Sequence, residues 1–122
     1  MKSGWAVADL LVDSDVFIDH LRGARALRPR RHRIHYSAVT RCELFAGSAD
    51  QEESVAQLLS PFTELDVAGP VAERAGRIRR RSGLLIPDAL IAATALVHRL
   101  GLVTRNRRDF ERVRGLRLAD LG

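Results

Sequence analysis

Residues 86–104, IPDALIAATALVHRLGLVT, decide the fold. From Pro87 to Leu100 the segment carries almost no charge until His98 and Arg99, so the pattern predicts a buried helix rather than a surface one. Pro87 suits its first turn. Gly101 is expected to end it, and Leu102–Thr104 reads as a short strand. Working outward, Ala8–Val12 is a compact apolar run broken only by Asp9 and reads as a buried strand. Asp15–Leu21 follows as a short helix, with Val16, Phe17, Ile18 and Leu21 for packing and Gly23 as a stop. Ile34–Tyr36 is a second strand. Ser37 caps a helix running to about Ala46, with Gly47 ending it. A further helix is expected over Gln51–Leu59, a strand over Phe62–Val67, and an amphipathic helix over Pro70–Arg81 with Val71, Ala75 and Ile78 at helical spacing. Residues 106–114 form a polar turn or short helix, and Leu116–Leu118 a final strand. Strands alternating with helices predict an α/β sandwich with a mainly parallel central sheet.

A chain of 122 residues with 46% apolar content is one domain with a real core. Residues 1–8 read as a short extension, and 9–122 as the domain. The single cysteine, Cys42, cannot close an intrachain disulfide, which fits a reducing cytoplasm. No apolar run approaches the ~18 residues that cross a membrane. Asp9, Asp13 and Asp15 interrupt the apolar N-terminal stretch, so it does not read as a signal peptide. The net charge is +5, and Lys2 is the only lysine. Arginine bonds phosphate oxygens through a fork, so the balance favours a polyanionic partner; a GC-rich genome would give the same bias. The segment RGARALRPRRHR, residues 22–33, concentrates that charge.

Against this background several carboxylates stand out. Asp13 ends the first strand, where the carboxyl ends of a parallel sheet form a ligand crevice; it or Asp15 could equally cap the following helix. Glu43 lies mid-helix, four residues after Val39 and three before Ala46, at the border of the packed side. It reads either as a site acid or as an edge glutamate paired with Arg41 or Arg22. Asp88 shares a face with Ile91, Ala92 and Ala95. A carboxylate there is costly unless paired or metal-bound, although a helix start favours an acid. Asp109 follows the last long strand, with Asn106 three residues before it, and reads otherwise as a surface acid in a basic loop. Clustered carboxylates repel unless a cation lies between them, and hard oxygen donors favour Mg²⁺ or Mn²⁺. Such a site activates water for phosphodiester cleavage, with arginines holding the backbone.

These segments also resemble a known family. LLVDSDVFIDHLRG (10–23), YSAVTRCELFAG (36–47) and IPDALIAATALVHRLGLVTRNRRDFERVRGLRL (86–118) resemble, in order, the motifs of PIN domains of the VapC type. The resemblance covers roughly residues 9–120. It implies a PIN-like three-layer sandwich and a Mg²⁺-dependent endoribonuclease. The usual setting is the toxin of a bacterial toxin–antitoxin pair, cytoplasmic and homodimeric, cutting structured RNA such as transfer or ribosomal RNA. It also implies a cognate antitoxin that occupies the toxin. Asp13, Glu43 and Asp88 match the first three acidic positions of the family, with Asp13 and Asp88 holding the metal. Many PIN domains carry an Asp at the place of Asn106, so Asp109 is the nearest candidate for a fourth acid. Asp15, Thr104 and Asn106 would orient the site. Arg22, Arg25, Arg28, Arg30, Arg31, Arg105, Arg107 and Arg108 are candidates for RNA contact, or else a solvated face.

Two rival readings remain. One is a catalytically silent PIN domain that only binds RNA or an antitoxin. The other is a thiol enzyme using Cys42 with His35 or His20, disfavoured because Cys42 is expected to pack inward, where a thiol is inert. One Cys and four scattered His residues show no zinc-ligand spacing.

Overall fold

The computed structural model of the chain describes residues 7–122. Most of the expected extension, with Lys2 and Trp5, lies outside the described residues. The elements run β1 (Asp9–Val12), α1 (Ser14–Leu21), β2 (Arg33–Ser37), α2 (Ala38–Phe45), α3 (Glu52–Leu59), β3 (Thr63–Leu65), α4 (Gly69–Ser82), α5 (Ile86–His98), β4 (Gly101–Val103) and α6 (Arg107–Phe110). A 3-10 turn over Ala49–Gln51 leads into α3.

The four strands form one parallel sheet in the order β3-β2-β1-β4. Side chains alternate across a strand, and here the alternation sorts the two cores. Leu11 and Leu102 face one layer, built from Val71, Ala75 and Ile78 of α4 and Ala89, Ile91, Ala92 and Ala95 of α5. Leu10, Val12, Ile34 and Tyr36 face the other, against Phe17 of α1, Leu44 of α2, and Val55 and Leu59 of α3. The expected three-layer sandwich is therefore present. The small side chains of α5 explain its depth, since alanine lets a helix axis approach the sheet closely.

Three element ends differ from expectation. Helix α5 stops at His98, two residues before Leu100, because Arg99 takes a left-handed conformation at φ 58° and its N–H bonds back to Leu96. Gly101 opens β4 instead of capping the helix. A Cβ there would lie 3.1 Å from Ala119 Cβ and 3.2 Å from Leu10 Cδ2, so close packing demands the glycine. The strand expected at Phe62–Val67 shrinks to Thr63–Leu65. Leu116–Leu118 makes only an isolated parallel bridge, Leu102 with Leu118, so it is no strand of the sheet. Cys42 is exposed rather than inward, because α2 buries Thr40 and Leu44 on its other side. No helix among the described residues is long and apolar enough to cross a membrane.

Candidate active site

Strand β1 lies between β2 and β4: the chain runs outward from β1 through β2 to β3, then crosses back over the sheet to β4 on the other side of β1. Crevices open at such a point, beyond the carboxyl ends of the strands. Val12 pairs with Val103, which sets the next residues, Asp13 and Thr104, side by side. The Asp13 amide donates to Val103 O at 2.9 Å. Asp13 Oδ1 accepts from the Ser14 amide at 2.7 Å, and Asp13 Oδ2 from Thr104 Oγ1 at 2.8 Å. The capping role and the strand-end position thus belong to the same side chain. Thr104 Oγ1 in turn accepts from the Asn106 amide at 3.0 Å, which fixes its proton toward Asp13.

Asp13 is only 6% exposed. Burial, then the charge of Asp15, push its carboxyl up to about 7, against the pull of Thr104 and Ser14. Asp15 is also raised, first by burial; it accepts from the Arg105 amide at 3.1 Å. Asp88, in the first turn of α5, has no hydrogen-bond or ion-pair partner among the described residues. Its carboxyl is raised by burial first, then by the charges of Glu43, Asp109 and Asp15. The five acids Asp13, Asp15, Glu43, Asp88 and Asp109 therefore share one electrostatic neighbourhood. A contrast lies at the start of the same strand: Asp9 is held well below the usual carboxylate range by Arg33, which grips it at 2.7 and 2.8 Å, and by His35.

Glu43 sits at the exposed rim of this neighbourhood, but not as an edge glutamate paired with arginine. Arg41 pairs with Glu64 instead. Glu43 Oε1 accepts from Ser14 Oγ at 2.6 Å, and Ser14 Oγ also meets Thr40 Oγ1 at 2.8 Å. Ser14 and Thr40 were missed in the sequence. Thr40 stands three residues before Glu43 on the same helix, and Ser14 lies between two of the acids; those spacings were the available signal. Asp109 receives a hydrogen bond from Asn106 Nδ2 at 2.9 Å, so the amide at the position where many PIN domains have an acid supports the acid three residues on.

The arginines divide. Arg105 pairs with Asp19 and Arg107 with Asp120. All eight candidate arginines, Arg22, Arg25, Arg28, Arg30, Arg31, Arg105, Arg107 and Arg108, are exposed. The thiol pairing finds no support: His20 accepts from the Leu27 amide at 2.9 Å, and His35 meets Asp9 at 3.2 Å, while Cys42 faces solvent.

The fold and this edge define a parallel α/β domain with a cluster of acids at its switch point. A family model described as the PIN domain matches residues 10–116, and the chain belongs to that family. Ribonuclease VapC10 of Mycobacterium tuberculosis is 38% identical over 109 residues, which cover 80% of this chain and 82% of that protein. A toxin–antitoxin complex from Klebsiella pneumoniae contains a chain that superposes with a TM-score of 0.78 at 32% identity, over 93% of this chain and 98% of that one. A DNA-bound VapBC from Salmonella typhimurium gives a TM-score of 0.74 at 26% identity, over 94% and 99% of the two chains.

Proposed function

We propose that this chain is a divalent-metal-dependent endoribonuclease and the toxin of a toxin–antitoxin pair. The observation that carries the reading is the Asp13 carboxyl, 6% exposed at the end of β1 and held by the Ser14 amide and the Thr104 hydroxyl, in one electrostatic neighbourhood with the unpartnered acid Asp88. A protein retains so costly a group where a cation completes it. The donor set fits a hard cation, since every acid here offers oxygen. Among the described residues no three acids, histidines or cysteines already form a coordination cage. Mg²⁺ does not ask for one, because it keeps several waters and binds through one or two carboxylates.

Asp13 and Asp88 would hold the ion, directly or through water. Bound Mg²⁺ or Mn²⁺ supplies charge neutralisation and water activation for phosphodiester hydrolysis. Glu43 and Asp109 complete the acidic pocket and orient a water for in-line attack, each steered by a neighbour: Glu43 by Ser14, Asp109 by Asn106. Thr104 holds Asp13, and Asp15 adds charge behind it. The basic surface draws the RNA backbone toward the pocket. The substrate class that the VapC-type relatives suggest is structured RNA such as transfer or ribosomal RNA. By the same analogy an antitoxin occupies the site, the chain acts as a homodimer, and the setting is the bacterial cytoplasm.

The test is cleavage of total bacterial RNA by purified protein with Mg²⁺, with EDTA, and with Asp88→Asn. Discrete cuts that need metal and vanish in the variant are expected. Absence of cutting by folded, metal-loaded, antitoxin-free protein would overturn the reading in favour of a silent binding domain.

A further inference from the structure

Beside the acid cluster lies an open cleft of about 600 Å³. That volume is in the range of clefts that enclose small organic ligands, about 300–1,000 Å³. The two share a wall, since Thr104 and Arg105 line the cleft while the Thr104 hydroxyl and the Arg105 amide bond Asp13 and Asp15. The cleft has an apolar lining that includes Val16, Leu27 and Val103, and Arg25, Arg28 and Arg30 also border it.

The charge of those three arginines is what the fold leaves unmatched along the cleft. Among the described residues their side chains make no hydrogen bond or ion pair, whereas Arg105 and Arg107 on the same cleft are matched by Asp19 and Asp120. The loop that carries them is nevertheless built. Leu27 is buried in the core, and its amide is tied to His20 Nδ1 at 2.9 Å. The Ala24 and Arg25 amides donate to Asp19 O, and the His32 amide to Pro29 O. Arg30 is held left-handed at φ 57°, a conformation that non-glycine residues adopt rarely and that clusters at ligand-binding positions. Unmatched cations on an anchored loop around an apolar floor are suited to a ligand with anionic ends and a flat apolar body.

We infer that this cleft receives one unstacked nucleotide of the RNA chain next to the phosphodiester presented to the acidic pocket. Its base lies on the Val16–Leu27–Val103 floor, and its flanking phosphates lie against Arg25, Arg28 and Arg30. Guanidinium groups serve both parts, bonding phosphate and stacking on bases. The inference rests on the ribonuclease reading and deepens it, making the enzyme selective for RNA that can splay a nucleotide.

The test reads binding, not cutting, by fluorescence anisotropy in an Asp88→Asn background with Mg²⁺. The probes are a labelled short oligouridylate, an abasic ribose-phosphate chain of equal length, and an acidic peptide. Thermal unfolding checks that every variant is folded. The base-bearing chain is expected to bind about fivefold or more tightly than the abasic one, the worth of one stacked base. Ala26→Trp, which fills the cleft but keeps every arginine, is expected to erase that preference and leave the salt dependence intact. Changing Arg25, Arg28 and Arg30 together to Ala is expected to reduce the salt slope by about 1–2. Equal binding of both RNA probes by the unfilled protein, or an unchanged preference after Ala26→Trp, overturns the nucleotide cleft while leaving the ribonuclease reading in place. Tight binding of the acidic peptide, lost in the arginine variant while RNA binding is kept, overturns it in favour of a protein-docking cleft. Failure of the unfilled protein to bind any RNA brings down both.

Discussion

Asn106 donates from Nδ2 to Asp109 Oδ2 at 2.9 Å. Asp109 is one of the charges that raise Asp88, so the amide steers a carboxylate that belongs to the acid cluster. Groups that orient metal-site residues typically cost 10–100-fold in metal affinity or activity when removed. Asn106→Ala should therefore lower the single-turnover cleavage rate about tenfold or more, with the fold unchanged. A rate equal to the parent in a magnesium titration would mean that Asp109 acts without its amide or not at all.

The raised carboxyl of Asp13 makes stability depend on pH. Between the ordinary value of 3.8 and the folded value of about 7, the folded state holds a proton that the unfolded state has released. Stability of the metal-free protein therefore falls as pH rises through this window and levels off above it. Three units correspond to roughly 4 kcal/mol at most, by about 1.4 kcal/mol per unit. Asp13→Asn should flatten the decline, and Mg²⁺ should offset it in the parent only. Urea midpoints in EDTA from pH 4 to pH 8 measure this; a parent profile that rises toward neutrality would contradict it.

Thr104 Oγ1 pulls the Asp13 carboxyl down by donating to it. Thr104→Val keeps the shape and removes the donor, leaving Asp13 higher still. Metal binding requires the deprotonated acid, so the pH midpoint of Mg²⁺ binding should move upward. A purely structural role for Thr104 would lower thermal stability without moving that midpoint.

Ser14 Oγ touches both Thr40 and Glu43. Ser14→Ala should cost only about 1 kcal/mol of stability but on the order of tenfold or more in cleavage, because Glu43 loses its guide. The variant to set beside it is Ser14→Thr, which retains the hydroxyl and should restore part of the rate. Unchanged cleavage in Ser14→Ala would remove Glu43 steering from the mechanism.

At Gly101 a methyl group would meet Ala119 and the Leu10 side chain at 3.1 and 3.2 Å. Gly101→Ala should destabilise by about 1–3 kcal/mol, the usual cost of overpacking. Denaturant unfolding would show this as a lower midpoint with the slope unchanged.

The sequence showed what depends on near neighbours. Asp13 stood out because it broke an apolar strand, and Asp88 because it broke an apolar helix; both features are local. The two-sided core followed from alternation in β1 and from the apolar run of α5. The Ser14–Thr40–Glu43 chain was hidden because it links residues 26 and 29 positions apart, and only the packing of α1 on α2 joins them. Cys42 was misplaced because α2 is short and its apolar residues do not mark one face clearly. Arg99 ended α5 by adopting a conformation that composition alone assigns to glycine. Leu116–Leu118 is apolar enough for a strand, but the chain touches β4 through a single bridge and moves on.

Thr104 reaches back 91 positions to Asp13. The pocket thus joins distant parts of the chain: Asp13 follows the first strand, whereas Asp88, Thr104 and Asp109 lie 75, 91 and 96 positions further on. Asp13 and Thr104 come side by side only once β4 has paired with β1. A fragment that stops short of β4 accordingly carries scattered carboxylates and no assembled pocket.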